Sequence, residues 1–335
     1  MAIHIGRREL VVTLGSAAAT WPLAARALPE RLRRIGSLTS LDETDAQAQV
    51  WYAAFRTRLQ ELGWVIGRNL QIDYRWGAGD MDRIRTYAAE LVAMKPDALL
   101  ASTTPVVAAL LRETHTIPIV FSNVSDPIGS GFAKSLSHPG GNATGWTNFP
   151  PTMGGKWLEV LKEIAPRVRR IGLLFNPITA PYVTGYYMPG LKAAAANLEV
   201  ELITTTVVHE ATDLEAVILE VAREPGGGLI VMPDTFTILH RKLIIALANQ
   251  HRVPAIYAYG YMSREGGLLA YGADQGVPFP LMAEYIDRIF RGEKPSDLPV
   301  QATTTFELVI NLKTGKALGL KIPESFLSRA DEVIE

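Results

Sequence analysis

Four letters, RRIG, stand at residues 33–36 and again at 169–172, an offset of 136. Three further apolar blocks recur in the same order. ALLAST (98–103) and GLIVMP (228–233) are 130 residues apart, IPIVFSN (117–123) and VPAIYAY (253–259) are 136 apart, and GGNATGW (140–146) and GGLLAYG (266–272) are 126 apart. Order kept at nearly constant spacing points to a duplication. Each copy of a 335-residue chain is long enough to bury its own core.

Within each copy, short apolar runs alternate with longer amphipathic ones. Strands are expected at 34–40, 70–76, 97–102, 117–123 and 142–146, then at 170–176, 200–208, 228–234, 253–259 and 267–272. Helical spacing of apolar residues predicts helices over 44–63, 81–94, 105–113, 152–165, 186–198, 212–223, 236–249 and 280–291. Strands alternating with helices make an α/β protein: two Rossmann-like lobes with parallel sheets, joined by hinge crossings. Turn-forming residues at 139–151 (PGGNATGWTNFPP) and 272–279 mark two crossings. The expected boundaries are 28–147 with 276–298 for the first lobe, and 148–275 with 303–335 for the second.

The N-terminus has the order of an export signal. Arg7-Arg8 precedes a modestly apolar run, and Ala25-Arg26-Ala27 offers a small-x-small cleavage site. The paired arginines resemble a twin-arginine signal. Cleavage near Ala27 removes three arginines and one glutamate, moving the formal charge from −1 to −3. No later run is long enough to cross a bilayer, so a periplasmic location is expected. The balanced charge points away from nucleic acid. The absence of cysteine excludes disulfides, thiolate metal sites and a cysteine nucleophile.

In open parallel sheets, ligands bind beyond the carboxyl ends of the strands. Two such lobes form a cleft there, and hinge closure buries what it holds. The residues that follow the strands are therefore the candidates: Ser40; Thr103 and Thr104 ahead of Pro105; Asn123 and Asp126; and, in the second copy, Asn176, Asp234, Tyr257 and Tyr259. The hydroxyls and free N–H groups at Thr103-Thr104 suit a carboxylate, or serve as a helix cap. Asp234, at the mirrored position, suits an ammonium or caps the next helix. The tyrosines can wall a ligand or seal the core. No GxGxxG after a strand, GxxxxGK[ST], GxSxG or HExxH is present, and the six histidines are scattered. No cofactor or metal is expected, and binding is favoured over catalysis.

The segments RRIGSLTS, LGWVIGRNLQIDYRW, STTPVVAALLRETHTIPIVFSNVSDPIGSGFAKSLSHPGGNATG, RRIGLLFNP and RVPAIYAYGYMSREGGLLAYGAD resemble the ABC-transporter substrate-binding proteins of the tryptophan-binding-protein-like group. That resemblance implies the type I periplasmic binding fold. It also implies roles near the cleft for Ser40, Thr103, Thr104, Asn123, Asp126, Asn176 and Asp234. The expected partners are a small-molecule ligand, such as an amino acid or related carboxylate, and an inner-membrane ABC permease. A monomer that closes on one ligand is expected. A ligand sensor for a chemoreceptor or sensor kinase would share these features; an exported α/β enzyme is the remaining reading, and nothing basic or helix-turn-helix-like precedes residue 33 to suggest a gene regulator.

Overall fold

A computed structural model describes residues 31–203 and 208–335. The export segment read at 1–27 lies outside these residues, as does part of the strand expected at 200–208.

The first five strands are β1 (Arg33–Thr39), β2 (Leu70–Trp76), β3 (Ala98–Ser102), β4 (Ile119–Val124) and β5 (Ala143–Thr147). Helices α1 (Ala46–Glu61), α2 (Met81–Ala93) and α3 (Thr104–Glu113) lie between the first four. The chain continues through α4 (Met153–Ile164), β6 (Arg170–Leu174), α5 (Met188–Asn197), β7 (Glu201–Ile203), α6 (Leu214–Ala222) and β8 (Gly227–Val231). Next come α7 (Thr235–Leu239), α8 (Arg241–Gln250), β9 (Ala255–Tyr257), α9 (Gly260–Arg264), β10 (Leu269–Gly272) and α10 (Pro278–Phe290). The end of the chain forms β11 (Gln301–Ala302), β12 (Glu307–Asn311), α11 (Leu312–Ala317), α12 (Glu324–Leu327) and β13 (Glu332–Ile334).

These strands form two sheets, ordered β11-β5-β4-β3-β1-β2 and β13-β12-β10-β9-β8-β6-β7. The same 2-1-3-4-5 winding is thus used twice. Register carries the duplication further. Ile35 pairs with Ala98 and Ile171 with Gly228, which reproduces the offsets of 136 and 130 in the sequence. Val120 pairs with Thr144, but Ile256 pairs with Leu269, so the fifth strand of the second copy slips by one residue. The first sheet is parallel throughout. In the second, β12 runs antiparallel to β10, so that sheet is parallel only in the main.

Alternation along the first sheet serves two cores. Leu99, Ala101 and Phe121 face a cluster with α2 and α3. Leu100 and Val120 face the other side, where Tyr52 and Phe55 of α1 meet Phe279 and Ile286 of α10. This second cluster continues into the other lobe. The Trp51 ring lies 5.8 Å from Phe279 and 6.2 Å from Tyr261. β11 adds to the edge of the first sheet beyond residue 298, and the chain then crosses to β12.

Two local departures from the expected elements have clear causes. The helix expected over 236–249 is two helices, broken at His240; the break frees the Ile238 carbonyl, which accepts from Arg241 Nη1 at 3.1 Å. The helix expected from 186 opens with a π-turn at Val183–Tyr187. Pro189 has no N–H to continue an α-helical ladder backward, and the wider turn accommodates the gap.

Candidate ligand cleft

The carboxyl ends of β1 and β3 bring two hydroxyls together. Ser40 Oγ lies 2.9 Å from Thr103 Oγ1 and 3.1 Å from Thr235 Oγ1. Ser40 and Thr103 belong to the first lobe and Thr235 opens α7 in the second. All three are buried. One serine therefore ties the two lobes together at the base of the cleft.

Thr103 has φ 90° and ψ 152°, a region that β-branched residues avoid at a cost of about 1–3 kcal/mol. Its N–H donates to the Ser122 carbonyl at 3.1 Å, and its own carbonyl accepts from Val107 N at 3.2 Å. The sequence suggested a plain cap for α3. Instead, the Thr103 side chain makes no capping bond and turns to Ser40. Thr104 Oγ1 accepts from Ser125 N at 3.1 Å, which leaves the Thr104 hydroxyl proton to donate elsewhere.

Asn123 and Asp126 also have positive φ, 56° and 47°. Both were expected beyond the fourth strand. β4 in fact runs to Val124, with an irregularity in its pairing between Phe121 and Val124. The bulge turns Asn123 out of the ladder, and its amide makes only a long 3.5 Å contact to Ser122 Oγ. Asp126 Oδ1 accepts from Gly129 N at 2.8 Å. A Cβ on Gly129 would fall 2.0 Å from Asp126 Oδ2, so a side chain there would displace the carboxylate from its present position. Asp126 also faces the second lobe: burial raises the Tyr186 phenol to about 12, and the Asp126 charge adds to the rise.

In the second lobe Asp234 is 2 % exposed. Its Oδ1 accepts from Thr179 Oγ1 at 2.5 Å and from Phe236 N at 3.2 Å, and its Oδ2 accepts from Asn176 N at 2.8 Å. Burial lifts its carboxyl to about 6, while these hydrogen bonds hold it down. The Thr235 backbone adds a fourth hydrogen bond to this carboxylate, about as many as a carboxylate accepts. Asp234 thus caps α7 and also anchors the loop after β6. The Asn176 amide is spent locally, donating to the His209 carbonyl at 2.9 Å and accepting from Ile178 N at 2.8 Å.

The two tyrosines diverge. Tyr259, 2 % exposed, stacks on Tyr261 at 5.8 Å and leans on Phe149 of the first crossing at 5.6 Å. Burial pushes its phenol up, hydrogen bonding to Asn148 opposes the rise, and the Asp234 charge adds to it. Tyr257 is the last residue of β9 rather than a loop residue. It is sealed in the core; a Cβ on Gly267 would meet its ring at 2.6 Å. The structure does not bring Tyr257 to the cluster.

Four further residues join the site. Ser125 Oγ donates to Asn148 Oδ1 at 3.0 Å and lies 3.1 Å from the hydroxyl of buried Tyr187. Tyr182 donates to the Pro233 carbonyl at 2.6 Å. Burial raises the Tyr182 phenol, the Asp234 charge adds to the rise, and hydrogen bonding to Ser125 and Thr104 opposes it. The Tyr182 ring lies 6.2 Å from that of Tyr187, edge to face. Three tyrosines at 182, 186 and 187 were the signal available in the sequence, but the helix expected there gave no reason to aim them at the other lobe. At the rim, Arg241 Nη1 meets Asp45 Oδ2 at 2.8 Å across the lobes, and Arg241 Nε meets Glu265 at 2.9 Å. Among the described residues no cluster of histidine, aspartate and glutamate could hold a metal ion, and no helix is long and apolar enough to cross a membrane.

Residues 43–334 match the family model "ABC transporter substrate binding protein". A protein of Clostridioides difficile (strain R20291) named "Tyrosine-binding protein" is 27% identical over 274 residues, 80% of this chain and 76% of that protein. Among solved structures, a conserved domain protein from Vibrio cholerae superposes with a TM-score of 0.83 at 28% identity, covering 90% of this chain and 100% of that one. An ABC domain from Streptococcus pneumonia in complex with L-Trp superposes at 0.82 with 26% identity, covering 90% and 99%. The chain belongs to the ABC transporter substrate-binding protein family, with the two-sheet α/β fold of type I periplasmic binding proteins. It is a family of solute binders rather than enzymes.

Proposed function

From that family membership we propose that this protein binds an aromatic amino acid as its zwitterion, closes on it, and delivers it to the permease of an ABC importer. The single observation that carries the reading is the pairing at the base of the cleft. A hydroxyl cluster of the first lobe, Ser40 with Thr103 and the neighbouring Thr104, meets Thr235 of the second, the residue next to the buried carboxylate of Asp234. Hydroxyl and helix-start N–H donors at Thr104 suit the α-carboxylate. The negative charge of Asp234 suits the ammonium. Tyr182, Tyr187, Tyr259 and Phe149 supply an aromatic wall for the side chain. Asn123 and Asn148 offer amides for a polar tip. The named relatives, one called tyrosine-binding and one holding L-Trp, support the same class of ligand.

The contacts Ser40–Thr235, Ser125–Tyr187 and Asp45–Arg241 support a closed arrangement of the two lobes in this structure. Export directed by residues 1–27 would place the monomer in the periplasm, where it meets its permease.

Calorimetric titration tests the ligand class. L-tyrosine and L-tryptophan are expected to bind at one per chain. N-acetyl-L-tyrosine, which lacks the ammonium, and L-tyrosinamide, which lacks the carboxylate, are expected to bind at least tenfold more weakly. Equal binding of the N-acetyl compound would remove Asp234 from ammonium recognition. No binding of any aromatic amino acid would overturn the proposal.

A further inference from the structure

A second cavity, of about 520 Å³, opens at the amino ends of the strands of the second sheet, the end opposite the cleft. Its floor is apolar, formed by Ile164, Val168, Val253, Leu318 and Leu320. Three cations line it: Arg167, Arg252 and Lys321. None of the three has a carboxylate partner among the described residues. The one acid in the lining, Glu224, is already engaged by Arg170 at 3.4 Å and Arg223 at 3.9 Å. The other ionisable group there, His251, sits 3.3 Å from Glu215.

The duplication adds a further cation without an acid partner among the described residues at this end of the sheet. In the first lobe the RRIG arginines are neutralised: Arg33 meets Asp97 at 2.7 Å and Arg34 meets Asp73 at 2.6 Å. The offset of 130 puts Gly227 where Asp97 stands and Ile203 where Asp73 stands. Gly227 cannot revert, because a Cβ there would fall 2.0 Å from the Val221 carbonyl. Arg169, the counterpart of Arg33, therefore has no such acid, and its charge adds to the burial that lowers the neighbouring Lys162 ammonium. Arg252 is held at φ 54°, a left-handed position that favours glycine or asparagine at the end of a helix.

We propose that this cavity is a second ligand site, which takes a small amphipathic monocarboxylate: its acid group on Arg252, Arg167 and Lys321, its apolar tail on the floor. The volume lies within the range of small-molecule sites, about 300–1,000 Å³. The site is separate from the cleft and does not rest on the aromatic amino-acid reading.

Titration of the full protein with octanoate tests it, with octylamine as the cationic control. Octanoate is expected to bind at one per chain, and octylamine not at all. The double variant Arg252→Gly, Lys321→Gln is expected to bind octanoate at least tenfold more weakly. Its melting temperature should be unchanged or higher, since glycine suits the backbone at 252. A parallel titration with L-tyrosine should give the same result for both proteins, which keeps the two sites distinct. Absence of octanoate binding, equal binding of octylamine, or undiminished binding by the double variant would each overturn the proposal.

Discussion

Asp45 and Arg241 sit 196 residues apart in the chain and 2.8 Å apart in space. Asp45 performs two tasks with one carboxylate. Oδ1 caps α1 by accepting from Ala48 N at 3.0 Å, and Oδ2 receives the guanidinium from the opposite lobe. Both side chains are about nine-tenths buried, so the pair is screened little by solvent. It exists only while the lobes are together.

Arg241→Met should therefore act on the open–closed equilibrium rather than on ligand contacts. It keeps the apolar stem against Tyr261 but removes the cross-lobe charge. Leaving a buried carboxylate unpaired costs about 3 kcal/mol or more, though opening relieves it. The expected result is ligand affinity weakened by about tenfold or more, equivalent to ~1.4 kcal/mol. X-ray scattering should give a larger radius of gyration without ligand. Unchanged affinity and radius would separate this pair from closure.

Asp234 predicts a pH dependence. Its carboxyl is lifted to about 6 in the folded protein, against about 3.9 unfolded. The folded state thus holds the proton more tightly. That contribution to stability is fully present below pH ~4 and is lost as pH rises through 6, a loss of roughly 3 kcal/mol. The melting temperature of the ligand-free protein should fall across this window relative to that of Asp234→Asn. Parallel pH profiles would show that Asp234 does not titrate there.

Thr103→Gly should trade function for stability. Glycine adopts φ 90° without the steric cost, so the variant should gain about 1 kcal/mol in chemical denaturation. It loses the hydroxyl that meets Ser40, and affinity for the amino acid should drop by tenfold or more. A destabilised variant would mean that the Ser40 bond outweighs the backbone strain.

Tyr187→Phe removes one hydroxyl from the buried contact with Ser125. The loss is expected to be about 1 kcal/mol, seen as weaker ligand binding at nearly constant fold stability. An equal loss in ligand-free stability alone would place that bond in the scaffold.

The fold was legible because it is written twice. Apolar blocks at repeated offsets report strand order directly, and Ile35–Ala98 with Ile171–Gly228 confirm the spacing residue by residue. The site was legible only at strand ends, where position alone selects candidates. Ser40, Thr103, Thr104 and Asp234 gather there as positions after parallel strands should. The placement of Tyr182 and Tyr187 depends on the π-turn at Val183–Tyr187, which apolar periodicity does not encode. The unbroken apolar run 253–259 does not mark where the strand stops, so it does not separate Tyr257, the last residue of β9, from Tyr259 in the loop beyond. Asn176 lies at a strand end, yet its amide is used up by its own loop. Such local bonds are visible only once the backbone is in place.

The most direct measurement is a crystal structure of the protein grown with L-tyrosine. One molecule is expected in the cleft, its carboxylate within hydrogen-bonding distance of Thr103 or Thr104, its ammonium on the Asp234 carboxylate, and its ring beside Tyr182 and Tyr259; this is the central claim of the proposed function. A cleft without tyrosine, or tyrosine bound with its ammonium away from Asp234, would contradict it.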